Sequence, residues 1–189
     1  MALTSSTMLA LGTPAPDFSL PATDGSIVSL SSFKIKKLLV VAFVCNHCPF
    51  VKHIRSQLAE VGGKYQARGV GFVAINSNDI AAFPADNMEK MREEVKAIGY
   101  SFPYLLDEDQ AIARAYDAAC TPDFYLFDAA RRLIYRGQFD GSRPGNNIPV
   151  TGHDLCAAMD AALQDKQIAE EQKPSIGCNI KWKPGNEPN

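Results

Sequence analysis

Residues 38–54 read Leu-Leu-Val-Val-Ala-Phe-Val-Cys-Asn-His-Cys-Pro-Phe-Val-Lys-His-Ile, and we expect the fold to form around this stretch. Its first six residues are apolar and rich in Val, which predicts a strand buried on both faces. Six residues are too few to cross a membrane. After Pro49, apolar residues recur at helical spacing, at Val51, Ile54, Leu58 and Val61. The stretch therefore predicts a strand that leads into a helix through a turn with two cysteines.

The two cysteines of this turn, Cys45 and Cys48, are spaced so that their sulfurs can close and open a small disulfide ring. The free N–H groups and positive dipole end of a helix favour thiolate over thiol. We therefore expect Cys45 to attack, and Cys48, more buried, to resolve the mixed disulfide. Asn46 and His47 lie between them, where an imidazole can stabilise the Cys45 thiolate and tune its redox potential.

The composition is that of an ordinary globular protein. The chain has 189 residues, 46% of them hydrophobic and 21% charged, which suits one domain with a sizeable core. The net charge is -2 and the basic residues are dispersed, so neither nucleic acid nor an anionic membrane surface is an expected partner. Residues 1–11 lack a signal-peptide pattern, and a cytoplasmic location is expected. In the reducing cytoplasm, the odd number of cysteines, five, favours catalytic or free thiols over a disulfide framework.

The remaining pattern predicts alternating strands and helices. Residues 12–33 alternate around Asp24-Gly25, which predicts a β-hairpin at one sheet edge. The other predicted elements are a strand at 69–76, a helix from a cap at Asp86 to Gly99, an extended piece at 102–106, a short helix at 109–116, a hairpin of 123–128 with 133–139, and a last helix at 154–164. We assign residues 1–164 to one domain, and residues 165–189 to a polar linker and an irregular tail packed on it.

Four features of the sequence belong together: Ala15-Pro-Asp-Phe-Ser-Leu20 with Asp24-Gly25, the Cys45-x-x-Cys48 turn, Thr121-Pro122, and the tail Pro174-Ser-Ile-Gly-Cys-Asn-Ile-Lys-Trp-Lys-Pro-Gly-Asn186. In combination they resemble the thioredoxin-like superfamily, and within it the AhpC/TSA branch of peroxiredoxin-like and TlpA-like thiol–disulfide oxidoreductases. The resemblance implies an α/β thioredoxin-like fold with a central mixed sheet flanked by helices, an N-terminal hairpin extension and an irregular tail. It also implies that Pro122 is cis and packs against the active-site disulfide, while the backbone of Thr121 binds substrate.

Two positions depart from the pattern of this superfamily. Peroxiredoxins have a threonine or serine three residues before the peroxidatic cysteine, where this chain has Ala42. Thioredoxins bury an acidic residue six positions before the first cysteine, where this chain has Leu39. Peroxide reduction is thus less supported than disulfide exchange, and proton transfer would be slower or use another group.

Each candidate residue also has a purely structural interpretation. The pair could be two packed thiols or half of a zinc site, although the sequence offers no second Cys-x-x-Cys or His pair. His47 could be a surface residue without a task. Cys120 could lie near the active site or only in the core, and Cys178 could be a third redox thiol or a simple free cysteine.

We therefore expect a thiol–disulfide oxidoreductase with Cys45 as nucleophile and Cys48 as resolving thiol, which needs no organic cofactor and no metal. Its expected partners are a disulfide-containing protein or a small thiol, and a thioredoxin- or glutathione-type electron donor. One alternative is a peroxiredoxin-like thiol peroxidase, in which peroxide oxidises Cys45 to a sulfenic acid. Another is a soft-metal sensor or chaperone that uses Cys45, Cys48 and either Cys178 or His47.

Overall fold

The computed structural model describes residues 3–188. The strands are β1 (Leu3–Ser5), β2 (Ser19–Pro21), β3 (Ile27–Ser29), β4 (Leu38–Phe43), β5 (Val70–Asn76), β6 (Tyr104–Leu106), β7 (Cys120–Thr121), β8 (Asp123–Phe127), β9 (Leu133–Gly137) and β10 (Ile176–Asn179). The α-helices are α1 (Pro49–Gln66), α2 (Met88–Ile98), α3 (Ala111–Ala115) and α4 (His153–Leu163). Within residues 3–188, no helix is both long and apolar enough to span a membrane.

The central sheet has the strand order β6-β5-β4-β8-β9. Strands β4, β5 and β6 run parallel, whereas β8 is antiparallel to both β4 and β9. The predicted βαβ unit and the predicted hairpin of β8 with β9 are therefore confirmed. So is the predicted α/β architecture with a central mixed sheet.

Strand β4 is buried along its whole length, as its sequence predicts. Val40 and Ala42 join the core cluster that contains the buried residues of α1 and α4, while Val41 and Phe43 join the cluster on the opposite face. Alternate residues of a strand point to opposite faces, so an uninterrupted apolar run is suited to a strand covered on both sides. This burial fixes the end of β4, where the two cysteines follow.

Helix α1 runs on past the glycine pair Gly62-Gly63 towards which its apolar residues lead. A Cβ at Gly62 would lie 2.4 Å from the ring of Phe102, so this glycine makes room for an aromatic side chain. The glycine here serves packing and does not end the helix.

The predicted N-terminal hairpin is formed by β2 and β3. Its continuation at Ala22 bridges to Leu105 in β6, which is the edge strand of the central sheet. The hairpin therefore covers that edge, as the sequence predicts.

The tail differs from the irregular segment that we predicted. Strand β10 pairs antiparallel with β1 on one side and with β7 on the other, which makes a second, three-stranded sheet. The ring of Trp182 packs half-buried against the core, as expected for a residue that holds the tail. A strand of four residues is too short for periodicity to reveal, and its partners lie more than 50 residues away in the chain.

Candidate active site

The site forms where β4 ends and α1 begins. Cys45 follows β4, and Cys48 is the N-cap residue of α1, with Pro49 as the first helical residue. Proline suits this position because its missing N–H would have no partner in the first turn, and its φ is already helical. Both cysteines are closed to solvent, with exposed fractions of 1% and 0%. The expected difference in burial between the two is therefore absent.

The loop around Pro122 meets the cysteine pair from the other side. The Thr121–Pro122 peptide bond is cis, which was expected from the resemblance. The thiol of Cys48 donates a hydrogen bond to the carbonyl oxygen of Thr121 at 3.2 Å. The hydroxyl of Thr121 lies 3.5 Å from the sulfur of Cys45. One residue before the cis-proline thus contacts both sulfurs.

Hydrogen bonds and burial shift the pKa values of the two cysteines in opposite directions. The hydrogen bond between the two thiols lowers the pKa of Cys48 and, with burial, raises the pKa of Cys45. Cys48 also accepts hydrogen bonds from the side chain of Cys178 and the backbone N–H of Val51, and both lower its pKa. The negative charge of Asp86 raises the pKa of Cys45 further. These contacts shift the pKa values of the two thiols in opposite directions, with that of Cys48 the lower.

The buried carboxylate of Asp86 holds the turn between the cysteines. Its Oδ1 accepts the backbone N–H groups of Asn46 at 2.8 Å and His47 at 3.2 Å. Its Oδ2 lies 2.5 Å from Nδ1 of His47 and accepts Nδ2 of Asn78 at 2.8 Å. Helix α2 is capped by Asn87 and not by Asp86 as predicted, because the Asp86 side chain is used here. Nothing in the sequence distinguishes two adjacent residues that can both cap a helix.

His47 and Asn46 are placed mainly by neighbours other than the sulfurs. Nδ1 of His47 is 4.0 Å from the sulfur of Cys45, much farther than from Asp86, and its ring stacks on Phe83. Asn46 donates to the carbonyl of Ala85 at 3.0 Å and accepts from the hydroxyl of Tyr104 at 3.1 Å. A tuning role for these residues remains a prediction, and it would act through the shape and charge of the turn.

The two accessory cysteines take different positions. The thiol of Cys120 is buried and donates to the carbonyl of Pro122 at 3.8 Å, and burial raises its pKa. This contact fits a packed core thiol. Cys178 is also buried, but its side chain is hydrogen bonded to that of Cys48. Burial, followed by this contact, raises the pKa of Cys178 to about 12.

Two side chains of the turn, with Asp86 from the approaching loop, could together bind a metal ion. One ligand atom each from Cys45, His47 and Asp86 lies within 4.8 Å of the other two. Sulfur and imidazole ligands favour a soft or borderline ion such as Zn²⁺. Each carboxylate oxygen of Asp86 already has two hydrogen-bonding partners, so a metal ion would have to displace at least one of them.

The fold and the thiol pair beside a cis-proline place the protein in the class of thioredoxin-fold thiol proteins. The chain belongs to the redoxin family, which matches residues 10–152. Members of this family are thiol–disulfide oxidoreductases or peroxiredoxin-like proteins, so the general role of the chain is that of a thiol oxidoreductase.

Three relatives illustrate the breadth of the family. A crystal structure of a hypothetical protein from Sinorhizobium meliloti 1021 is 54% identical, with a TM-score of 0.95 over 96% of this chain and 100% of that one. A Mycobacterium tuberculosis protein named provisionally as a peroxiredoxin is 28% identical over 80% of this chain and 94% of its own. The thiol-disulfide oxidoreductase ResA of Geobacillus thermodenitrificans is 28% identical over 66% of this chain and 67% of its own.

Proposed function

We propose that this protein is a thiol–disulfide oxidoreductase whose Cys45 and Cys48 alternate between a dithiol and a disulfide. The observation that carries the proposal is the contact of both sulfurs with Thr121, the residue before the cis-proline: its hydroxyl lies 3.5 Å from Cys45 and its carbonyl oxygen 3.2 Å from Cys48. One residue thus holds the two sulfurs of a Cys-x-x-Cys turn side by side, as exchange between dithiol and disulfide requires.

The reaction proceeds by thiol–disulfide exchange in either direction. In the reductive direction a proton passes from Cys45 to Cys48, and the Cys45 thiolate then attacks a substrate disulfide to form a mixed disulfide. The Cys48 thiol gives up its proton to the departing substrate sulfur and attacks Cys45. The products are the Cys45–Cys48 disulfide and a reduced substrate.

The proposed partners are a disulfide-containing protein or small thiol, and a thioredoxin- or glutathione-type electron donor. A cytoplasmic location belongs to the same proposal.

The test is equilibration of the purified protein in glutathione buffers of graded ratio, followed by acid quenching, alkylation of free thiols and mass spectrometry. We expect a two-electron transition of the Cys45–Cys48 pair with a reduction potential between about −120 mV, as in DsbA, and about −270 mV, as in thioredoxin. Cys48→Ser should abolish the internal disulfide and leave a glutathione adduct on Cys45. A wild-type protein that forms no Cys45–Cys48 disulfide at any ratio would contradict the proposal.

A peroxidase is the second candidate, and one contact favours it. Ala42 provides no hydroxyl, but that of Thr121 lies 3.5 Å from the sulfur of Cys45. A hydroxyl at this distance could orient a peroxide for attack by that sulfur. Steady-state peroxide consumption separates the candidates, because a peroxidase gives a fast rate that Thr121→Val removes, whereas disulfide exchange alone gives a slow one.

A metal-binding role is supported by the ligand set of Cys45, His47 and Asp86. Metal analysis of protein purified without chelator tests it directly. Less than one equivalent of metal in fully folded protein would exclude this role.

A further inference from the structure

Strand β10 occupies the open edge of β7, beside the thiol pair. Cys178 lies opposite Thr121 in antiparallel register, and Asn179 lies opposite Cys120. A strand added to an open sheet edge is held by main-chain hydrogen bonds, whatever its side chains are. The tail of this chain thus lies along the same residue, Thr121, that contacts both sulfurs.

The tail approaches this residue unusually closely. A Cβ on Gly177 would lie 2.0 Å from the carbonyl oxygen of Thr121 and 3.2 Å from the nitrogen of Pro122. Only glycine allows such an approach, and glycine inside a strand often marks a place where another backbone comes near. The identity of residue 177 therefore lets Cys178 reach the active site.

Additional hydrogen bonds hold the tail on both sides of Cys178. The N–H of Ser6 donates to the carbonyl of Ser175 at 2.9 Å. The N–H of Ile180 donates to the carbonyl of Ala119 at 3.1 Å, and that of Lys181 to Oδ1 of Asn78 at 2.8 Å. Asn78 in turn binds the Asp86 carboxylate, so the tail and the turn between the cysteines share one network. Cys178 is accordingly held in a defined place.

Thr121 brings the three cysteines together. It contacts the sulfurs of Cys45 and Cys48, and it lies opposite Cys178 in the strand register. The interactions of Cys48 with Cys45 and with Cys178 both lower its pKa. All three are buried, with exposed fractions of 3% or less. A disulfide on one side of Cys48 can therefore exchange for a disulfide on the other side with little movement of the chain.

We infer that Cys178 is a third redox thiol, which takes over the active-site disulfide by forming a bond with Cys48. This inference rests on the proposed function, since the Cys45–Cys48 disulfide supplies the oxidising equivalent. The Cys178 thiol loses its proton and its sulfur attacks Cys48. The Cys48–Cys178 bond forms as the Cys45–Cys48 bond breaks, and Cys45 leaves as a thiolate that takes up a proton. One disulfide is consumed and one is made, so no external oxidant is needed.

The exchange has two consequences for the site. It returns Cys45 to the thiol state beside the Thr121 hydroxyl, while the oxidising equivalent is stored between Cys48 and the tail. It also joins β10 covalently to α1, so the tail is fastened in the oxidised protein and can be displaced only after reduction.

Disulfide mapping tests the inference on the full-length protein. Trypsin leaves Cys45 and Cys48 together on peptide 38–52, and Cys178 on peptide 167–181, because it does not cleave between Lys173 and Pro174. Protein oxidised with glutathione disulfide at neutral pH is acid-quenched, alkylated and digested. We expect wild type to give both the internal disulfide of peptide 38–52 and a cross-link of that peptide to 167–181.

Cysteine variants show which two cysteines form the cross-link. Cys45→Ser should give the cross-link as its main disulfide, whereas Cys48→Ser and Cys178→Ser should lose it completely. Cys156→Ser, at a partly exposed cysteine on α4, is the matched control and should behave as wild type. An internal disulfide in wild type, with no cross-link in either wild type or Cys45→Ser, would overturn the inference while leaving the proposed function intact. A cross-link that survives in Cys48→Ser would also overturn it. If neither disulfide forms, the proposed function itself fails.

Discussion

At the scale of single residues, the pKa of Cys48 depends on the hydrogen bonds that its sulfur accepts from its neighbours. The largest of the effects that lower its pKa is the hydrogen bond from Cys45. We predict that Cys45→Ala raises the pKa of Cys48, because the alanine cannot donate. Cys45→Ser should raise it less, since a hydroxyl can still donate. The thiolate absorbance near 240 nm, followed against pH, measures both shifts. A midpoint that stays the same in Cys45→Ala would show that the charge does not lie on Cys48.

The Asp86 carboxylate is expected to restrain the reactivity of Cys45, because its negative charge raises the pKa of that thiol. In a Cys48→Ser background, Asp86→Asn should accelerate alkylation of Cys45 by iodoacetamide roughly two- to tenfold at pH 7, since one pKa unit changes the thiolate fraction about tenfold. The asparagine keeps an oxygen for the N–H groups of Asn46 and His47. Asp160→Asn, which removes a surface partner of Arg68, is the control. An equal or slower rate in Asp86→Asn than in this control would contradict the prediction.

Asp123, directly after the cis-proline, predicts a pH dependence of stability. Its carboxyl accepts hydrogen bonds from Ser6 at 2.7 Å and Tyr125 at 3.0 Å, but complete burial raises its pKa to about 7. In the unfolded chain the pKa is about 3.9, so between these values only the folded state retains the proton. The free energy of unfolding therefore falls as pH rises from about 4 to about 7, by on the order of 4 kcal/mol in total.

Urea unfolding at pH 5 and pH 8 measures this effect. Between these pH values the free energy of unfolding should fall by at least about 2 kcal/mol more in wild type than in Asp123→Asn, because the asparagine does not titrate. The comparison between the two proteins removes the contribution of every other titrating group. An equal fall in the free energy of unfolding of both proteins would mean that Asp123 is already ionised at pH 5.

At the scale of elements, the position of strand β10 against β7 depends on Gly177. We predict that Gly177→Ala displaces the strand, because its Cβ would overlap the carbonyl of Thr121. Alkylation of Cys45 and Cys48 in the reduced protein should then become at least roughly tenfold faster, since both thiols are closed to solvent and β10 lies beside Thr121, which contacts both sulfurs. Gly141→Ala is the matched control, because a Cβ there meets nothing within 4 Å and its φ is unremarkable. Similar rates in the two variants would show that β10 does not cover the thiols.

The elements also show what the sequence can reveal. Strand β4 and helix α1 could be predicted because their apolar residues follow the periods of their own structure. Strand β10 could not, because a four-residue strand is defined by its partners, here β1 and β7, which lie more than 50 residues away in the chain. Cys45 and Cys48 were identifiable by local spacing. Asp86 was not, because its role depends on the approach of a loop about 40 residues away.

At the scale of the whole molecule, the central sheet and the three-stranded sheet differ in how they are held. The central sheet lies between two apolar clusters, whereas the three-stranded sheet joins both ends of the chain across the active site. The linker before β10, residues 164–173, is largely exposed and polar. The molecule thus combines a core built on strands buried on both faces with a tail that is attached to it by a short strand, Ile180 and Trp182.

This difference predicts two classes of amide hydrogen exchange in the reduced protein. Amides of β4 and β5 should exchange only through global unfolding, so that their exchange free energy falls with denaturant along the full slope of the unfolding transition. The N–H groups of Ile180 and Lys181, which bond across to Ala119 and Asn78, should exchange through local opening with little dependence on denaturant. If these tail amides instead share the free energy and slope of β4, the tail is part of the global folding unit. A substrate could then reach the sulfurs only by unfolding the domain, and displacement of β10 could not be part of the reaction cycle.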